Sequence, residues 1–235
     1  MLLYVMLEVK YTCSLGPYCH SSHLLKRNSL KLCSYPFDWI YSNCNNIINC
    51  ITDDFNLFLD KSYYIDKSPK VCGHSKYHDS MFNHHNPLTN IEHYNYYVRC
   101  VDRFKQLRQT TEPKLFVMIF INTADNVFDI NNVVEFNRTF SENMTNYTLL
   151  VINNIPNKQQ NYHQIAYIGN IHLLELHTIS TSHGEAFYNN NDNIYLDNII
   201  QSKYKLQQGQ QQVQQQGQQQ GRQQGQRNNF FDMML

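Results

Sequence analysis

Residues 114–122, KLFVMIFIN, form an uninterrupted apolar run of strand length. A strand with one wet face alternates apolar and polar side chains. This run does not, so it reads as a strand buried on both faces, the pattern of a parallel sheet covered by helices. YTLLVINN, residues 147–154, is a second such run. The rest of the chain supplies what these strands need. Residues 4–14 read as a first strand and residues 17–27 as the helix after it. Residues 42–59 space Ile47, Ile48, Ile51, Phe55 and Phe58 for one helix. Residues 63–90 are irregular, with room for short strands. Thr89 or Asn90 can cap a helix over 91–108, whose Tyr94, Tyr97, Val98, Val101, Phe104 and Leu107 share one face. Residues 131–144 read as a helix, 163–170 and 171–178 as strands, and 191–204 as a last helix with Asp192 as its cap. The expected class is α/β: a three-layer sheet of mostly parallel strands with helices on both faces. This domain is expected over residues 1–203. Residues 204–235 are a Gln-rich tail, which cannot bury enough apolar surface to order itself.

Composition narrows the function. The formal net charge is +0 and charged residues are only 16% of the chain, so an electrostatic nucleic-acid binder is not expected. No apolar run is long enough to span a bilayer, so no membrane partner is expected either. The first residues are apolar but carry Glu8 and Lys10, with no basic leader or small-residue cleavage site, and read as a strand. The seven cysteines are odd in number, and no two are spaced as a CxxC pair. They are expected to be reduced thiols in a cytoplasmic, intracellular setting. Richness in Asn, Ile, Tyr and Lys fits an AT-rich genome, such as that of a large DNA virus or a protist. The Asn137 and Asn143 glycosylation sequons are discounted, because chance matches are common in so Asn-rich a chain.

One cysteine stands in a setting that a packing residue does not need. In TCSLGPYCHSSHLL, residues 12–25, Cys19 follows Gly16 and Pro17 where a strand gives way to a helix. Gly16 permits a backbone angle closed to other residues, and Pro17 suits a helix start. Cys19 is thus expected in the first turn, where free N–H groups and the helix dipole favour thiolate. Strand, glycine turn, nucleophile and helix is a layout by which α/β enzymes present a nucleophile at the carboxyl edge of a sheet. A small buried residue packing the helix start is the plainer alternative.

Further residues bring a resemblance. Ser14-Leu15-Gly16-Cys19, then Pro36-Phe37-Asp38-Trp39, then His78-Asp79, then Tyr97, Arg99, Arg103 and Phe104 resemble the SLGxxC, PFDW, His-Asp and YxRRxxRF motifs of a family labelled DUF1796 and described as putative papain-like cysteine peptidases. The similarity runs from about Ser14 to Ile200. Cys100 stands where the family pattern has a second Arg. The resemblance implies a hydrolase with Cys19 as nucleophile, His78 as its base, and Asp79 or Asp38 orienting that histidine. It also implies, as an alternative fold, the α+β class of papain. Papain-like order places the histidine late in the chain, which suits His172, His177 or His183, and the His-rich loop also offers His84 and His85. His74, His78 and Asp79 make an incomplete metal set, so no metal and no cofactor are expected. Asp38 is expected to hydrogen-bond the turn at Gly16, while Phe37 and Trp39 read as core.

A second reading makes the chain an α/β transferase or a non-catalytic binding domain. There the Gly16 turn, with Arg99 and Arg103, holds a small anionic ligand. A third makes it an inactive, partner-binding relative. The expected partner is therefore a peptide or a small anionic substrate.

Overall fold

The structure is a computed structural model and describes residues 6–123 and 127–207. In chain order the elements are β1 (Leu7–Val9), β2 (Tyr11–Gly16), α1 (His20–Arg27), α2 (Cys44–Thr52), α3 (Asn56–Leu59), a 3-10 turn (Lys61–Tyr63), β3 (Tyr64–Ser68), β4 (Val71–His74) and β5 (His78–Phe82). There follow α4 (Ile91–Gln109), β6 (Lys114–Phe120), α5 (Ile130–Ser141), β7 (Tyr147–Ile155), β8 (Tyr162–Ile168), β9 (Ile171–His177), α6 (Asn190–Lys203) and β10 (Tyr204–Leu206).

The main sheet has five strands in the order β2-β6-β7-β9-β8. The first four are parallel and β8 closes one edge antiparallel. The two apolar runs are β6 and β7, its interior strands, and all seven residues of β6 are buried. Their side chains alternate between two cores. Phe116, Met118 and Phe120 of β6 join Ile47 of α2, Phe104 of α4 and Phe136 of α5. Leu115, Val117 and Ile119 join Leu24 of α1 and Leu196 of α6 on the other side. Helices therefore cover both faces, as the unbroken hydrophobicity of these strands requires.

Several expected elements differ in detail. The single strand over 4–14 is two, because Lys10 and Tyr11 both donate to the Pro113 carbonyl, at 2.8 and 3.2 Å, and the chain turns there; residues 4 and 5 lie outside the described residues. β1 then pairs with β10, so ordered pairing extends through Leu206, and residues 208–235 of the tail lie outside the described residues. The helix over 42–59 breaks after Thr52. Asp54 and Phe55 are left-handed, at φ 54° and 63°, and the Asp53 carboxylate accepts the N–H groups of Phe55 and Leu57. A side chain that bonds nearby backbone in this way competes with the helix. α6 is capped by Asn189, not Asp192. Buried Asp192 instead accepts the backbone N–H groups of Ile179 and Ser180 and the Ser180 hydroxyl. The stretch read as irregular contains an antiparallel sheet, β3-β4-β5, which lends Tyr64, Cys72, Met81 and Phe82 to the first core.

No described helix is long and apolar enough to cross a membrane.

Candidate active site

The parallel strands all end at one edge, and Cys19 sits there. Gly16 closes β2 at φ +86°, and a Cβ on it would collide with the Ser42 hydroxyl. Ser42 is held in place because it donates to the Leu15 carbonyl at 2.9 Å. Both the angle and the close approach therefore demand glycine. Ser21 locks the turn from inside α1. Its hydroxyl is 2.7 Å from that of Ser14 and 3.3 Å from the carbonyl oxygens of Gly16 and Tyr18. Pro17 precedes the helix by more than expected: α1 begins at His20, with Cys19 as the cap residue, and the Cys19 carbonyl accepts the His23 N–H.

The Cys19 sulfur lies 3.2 Å from Nε2 of His84. His84 stands in the loop between β5 and α4. Of the adjacent pair, His85 turns inward and stacks on Tyr96 at 4.7 Å, and His84 turns outward to the cleft. The loop is pinned by buried Asn86, whose carboxamide donates to Asp66 and to the Ser68 carbonyl and accepts from Leu88 and Thr89. The His84 ring meets the edge of Trp39 at 6.3 Å, Trp39 meets His23 at 5.1 Å, and His23 pairs with Glu185 at 3.7 Å. A cleft of about 410 Å³ opens over the pair, with walls from five parts of the chain: Tyr18 beside Cys19, Tyr41 before α2, Asn83 beside His84, Ile121 and Thr123 after β6, and the loop Ser182–Glu185 after β9.

The electrostatics run against the expected thiolate. Burial pushes the Cys19 thiol up to about 12, the carboxylates of Glu185 and Asp38 push the same way, and only its own backbone N–H opposes them. The resting sulfur is therefore a protonated thiol beside an imidazole, and its nucleophile must be generated by proton transfer.

Other expected site residues lie elsewhere. His78 is exposed on β5, where its Nδ1 accepts the Ser80 N–H at 3.0 Å and its ring packs on Tyr41. Asp79 is exposed and pairs with Lys67 at 3.3 Å. Neither lines the cleft. Asp38 is fully buried. It accepts the Tyr35 N–H at 2.8 Å and pairs with Lys31, and it bonds neither Gly16 nor a histidine. Burial raises the pKa of its carboxyl, opposed chiefly by Lys31. Asp38 thus fastens the segment under α1. Arg103 donates to the Ser34 carbonyl at 3.1 Å, and Arg99 points into solvent on α4. Neither arginine lines the cleft. His172 and His177 are held by Tyr204 and Glu175, whereas His183 does line the cleft. Glu185, Asn83 and Tyr41 were not singled out from the sequence. The Asn86-Pro87 turn before a well-capped helix was the one sequence sign that the preceding histidines are held in fixed positions.

A larger cavity, about 490 Å³, lies between α2 and α5 on the other side of Pro17. It contains Cys44 but, among the described residues, no histidine. No three or more His, Cys, Asp or Glu side chains of the described residues are grouped to hold a metal ion.

The family described as Putative papain-like cysteine peptidase (DUF1796) matches residues 10–159, more than half of the chain, and the chain belongs to that family. The match spans β2, Cys19 and His84 and ends before the Ser182–Glu185 wall. No curated protein and no solved structure is significantly similar to the chain.

Proposed function

We propose that the chain is a thiol-dependent peptide hydrolase in which Cys19 is the nucleophile and His84 its base. The observation that carries this reading is the 3.2 Å contact between Cys19 Sγ and His84 Nε2 at the mouth of a cleft. A peptide carbonyl enters beside Cys19. As the sulfur attacks the carbonyl carbon, its proton passes to Nε2 of His84. The carbonyl oxygen takes up the negative charge, and the backbone N–H groups at the start of α1 are the donors that stabilise it. The imidazolium returns the proton to the leaving amine as the C–N bond breaks, which leaves a thioester on Cys19. Water, deprotonated by His84, then releases the acid and restores the thiol. A resting thiol near 12 makes His84 a base in the attack itself, rather than one half of a standing ion pair.

The test is cleavage of a mixed peptide library, with products read by mass spectrometry. The wild-type protein is expected to yield products that Cys19→Ala and His84→Ala do not, and that His78→Ala retains. Products that survive Cys19→Ala would overturn the proposal.

A further inference from the structure

We infer that the cleft over Cys19 selects a substrate bearing a cationic group, the amine or guanidinium of a basic peptide side chain, and that Glu185 is the residue that receives it. This rests on the reading of Cys19 as the reacting centre and names the substrate class of that same site.

The charge of the wall carries the argument. Among the described residues, Glu185 is the only Asp, Glu, Lys or Arg side chain lining the cleft. Its side chain is 47% exposed, and its contact with His23 is a loose 3.7 Å one to an imidazole whose charged form burial disfavours, so the carboxylate remains open to an entering cation. Tyr18 and Tyr41 meet edge to face at 5.1 Å in the same cleft, with the Tyr18 ring beside Gly184, and aromatic walls of this kind accept the stem and head of a basic side chain. The arginines that would favour an anion lie outside the cleft, with Arg103 committed to Ser34.

The wall is also built to hold its shape. The Ser182 hydroxyl contacts Nδ1 of buried His20 at 3.0 Å, donates to the Ala186 carbonyl and accepts the Gly184 N–H. Asn193 grips Phe187 through both its N–H and its carbonyl, each at 3.0 Å. His20 is the residue next to Cys19, so the segment carrying Glu185 is tied directly to the nucleophile. A fixed carboxylate in a partly desolvated cleft attracts a cation more strongly than one in open water.

The experiment uses two methanethiosulfonate reagents on the full chain, one ending in trimethylammonium and one in sulfonate. In each, the Cys19 thiolate attacks the reagent sulfur, an S–S bond forms, and methanesulfinate leaves with the electron pair. Rates at Cys19 are followed by peptide mass spectrometry and set against those of free N-acetylcysteinamide, because the Cys44 cavity has carboxylates of its own, Asp129 and Glu135. The cation-to-anion rate ratio at Cys19 is expected to exceed that of the free thiol. It should fall about five- to ten-fold in Glu185→Gln and invert in Glu185→Lys. N-acetyl-lysinamide should slow labelling of Cys19 more than putrescine at equal concentration. A ratio at Cys19 equal to that of the free thiol, or unmoved by either substitution, would overturn the inference, and better protection by putrescine would overturn the peptide source. The ratio needs no turnover, so it can fail while peptide cleavage stands, or hold while cleavage is absent.

Discussion

Two cysteines of this molecule begin helices at the same edge of the sheet, and only one of them has a histidine. Cys19 caps α1, and Cys44 is the first residue of α2. Both are half-buried, each lines a cavity, and burial pushes each thiol up to about 12. Position at a helix start and burial are therefore common to the two and cannot by themselves make a nucleophile. What distinguishes Cys19 is His84, delivered across the cleft by a loop that belongs to the small antiparallel sheet. The parallel sheet supplies the sulfur, and the segment between α3 and α4 supplies the histidine proposed as its base.

The largest expected effect breaks the comparison at the Cys19 side. Gly16→Ala forces a Cβ into a left-handed position against Ser42, and should cost about 2–4 kcal/mol in a denaturant titration. Asp38→Ala should cost about 3 kcal/mol, because it removes the carboxylate that faces nearly buried Lys31 and the acceptor of the Tyr35 N–H. Chemical denaturation measures both. Asp38 does not line the Cys44 cavity, so in Asp38→Ala Cys44 should keep its native reactivity wherever the variant still folds.

The pH dependence sharpens the likeness of the two thiols. A thiol held near 12 in the native state and near 8.5 in the unfolded chain keeps its proton only when folded. Its contribution to stability is complete below about pH 8.5 and is lost as pH rises towards 12. The melting temperature should therefore fall between pH 8.5 and 10 in the presence of a reductant. Cys19→Ala and Cys44→Ala should each soften that fall by a similar amount, at most about 2 kcal/mol. The acid side has the opposite sign. Buried His20 has its pKa lowered to about 3, so the unfolded chain binds its proton first. Stability should decline as pH drops from about 6.5 towards 3. The smallest effect is expected for His78→Ala, an exposed substitution that should stay within about 0.5 kcal/mol of wild type and leave Cys19 labelling unchanged.

How much of this was legible follows the same division. Burial on two faces leaves an unbroken apolar run, so β6 and β7, and with them the α/β class, could be read directly. Gly16 and Pro17 marked the turn at Cys19 because strained backbone narrows the choice of residue. The base was harder. His78 and His84 lie six residues apart in one polar segment, and their order in the chain does not say which reaches the sheet edge. Only the pairing of β4 with β5 and the Asn86 anchor decide it, and both are long-range facts. Arg99 and Arg103 illustrate the same limit. A helix period places both on one side of α4 but cannot tell solvent from the Ser34 carbonyl. Glu185 comes from a loop after β9 with no local pattern at all, and it reaches the cleft because Asp192, Asn193 and His20 fold that loop back.

The most direct test of the central claim is the rate of iodoacetamide alkylation of Cys19 relative to Cys44 at pH 7, in wild type and in His84→Ala. The neutral reagent reports how readily each thiol gives up its proton as the sulfur attacks. With a nearby base, Cys19 should react about ten- to a hundred-fold faster than Cys44, and His84→Ala should bring it down to the rate of Cys44 while leaving Cys44 alone. Equal rates in the wild-type protein, or a fast Cys19 that survives loss of His84, would contradict the account.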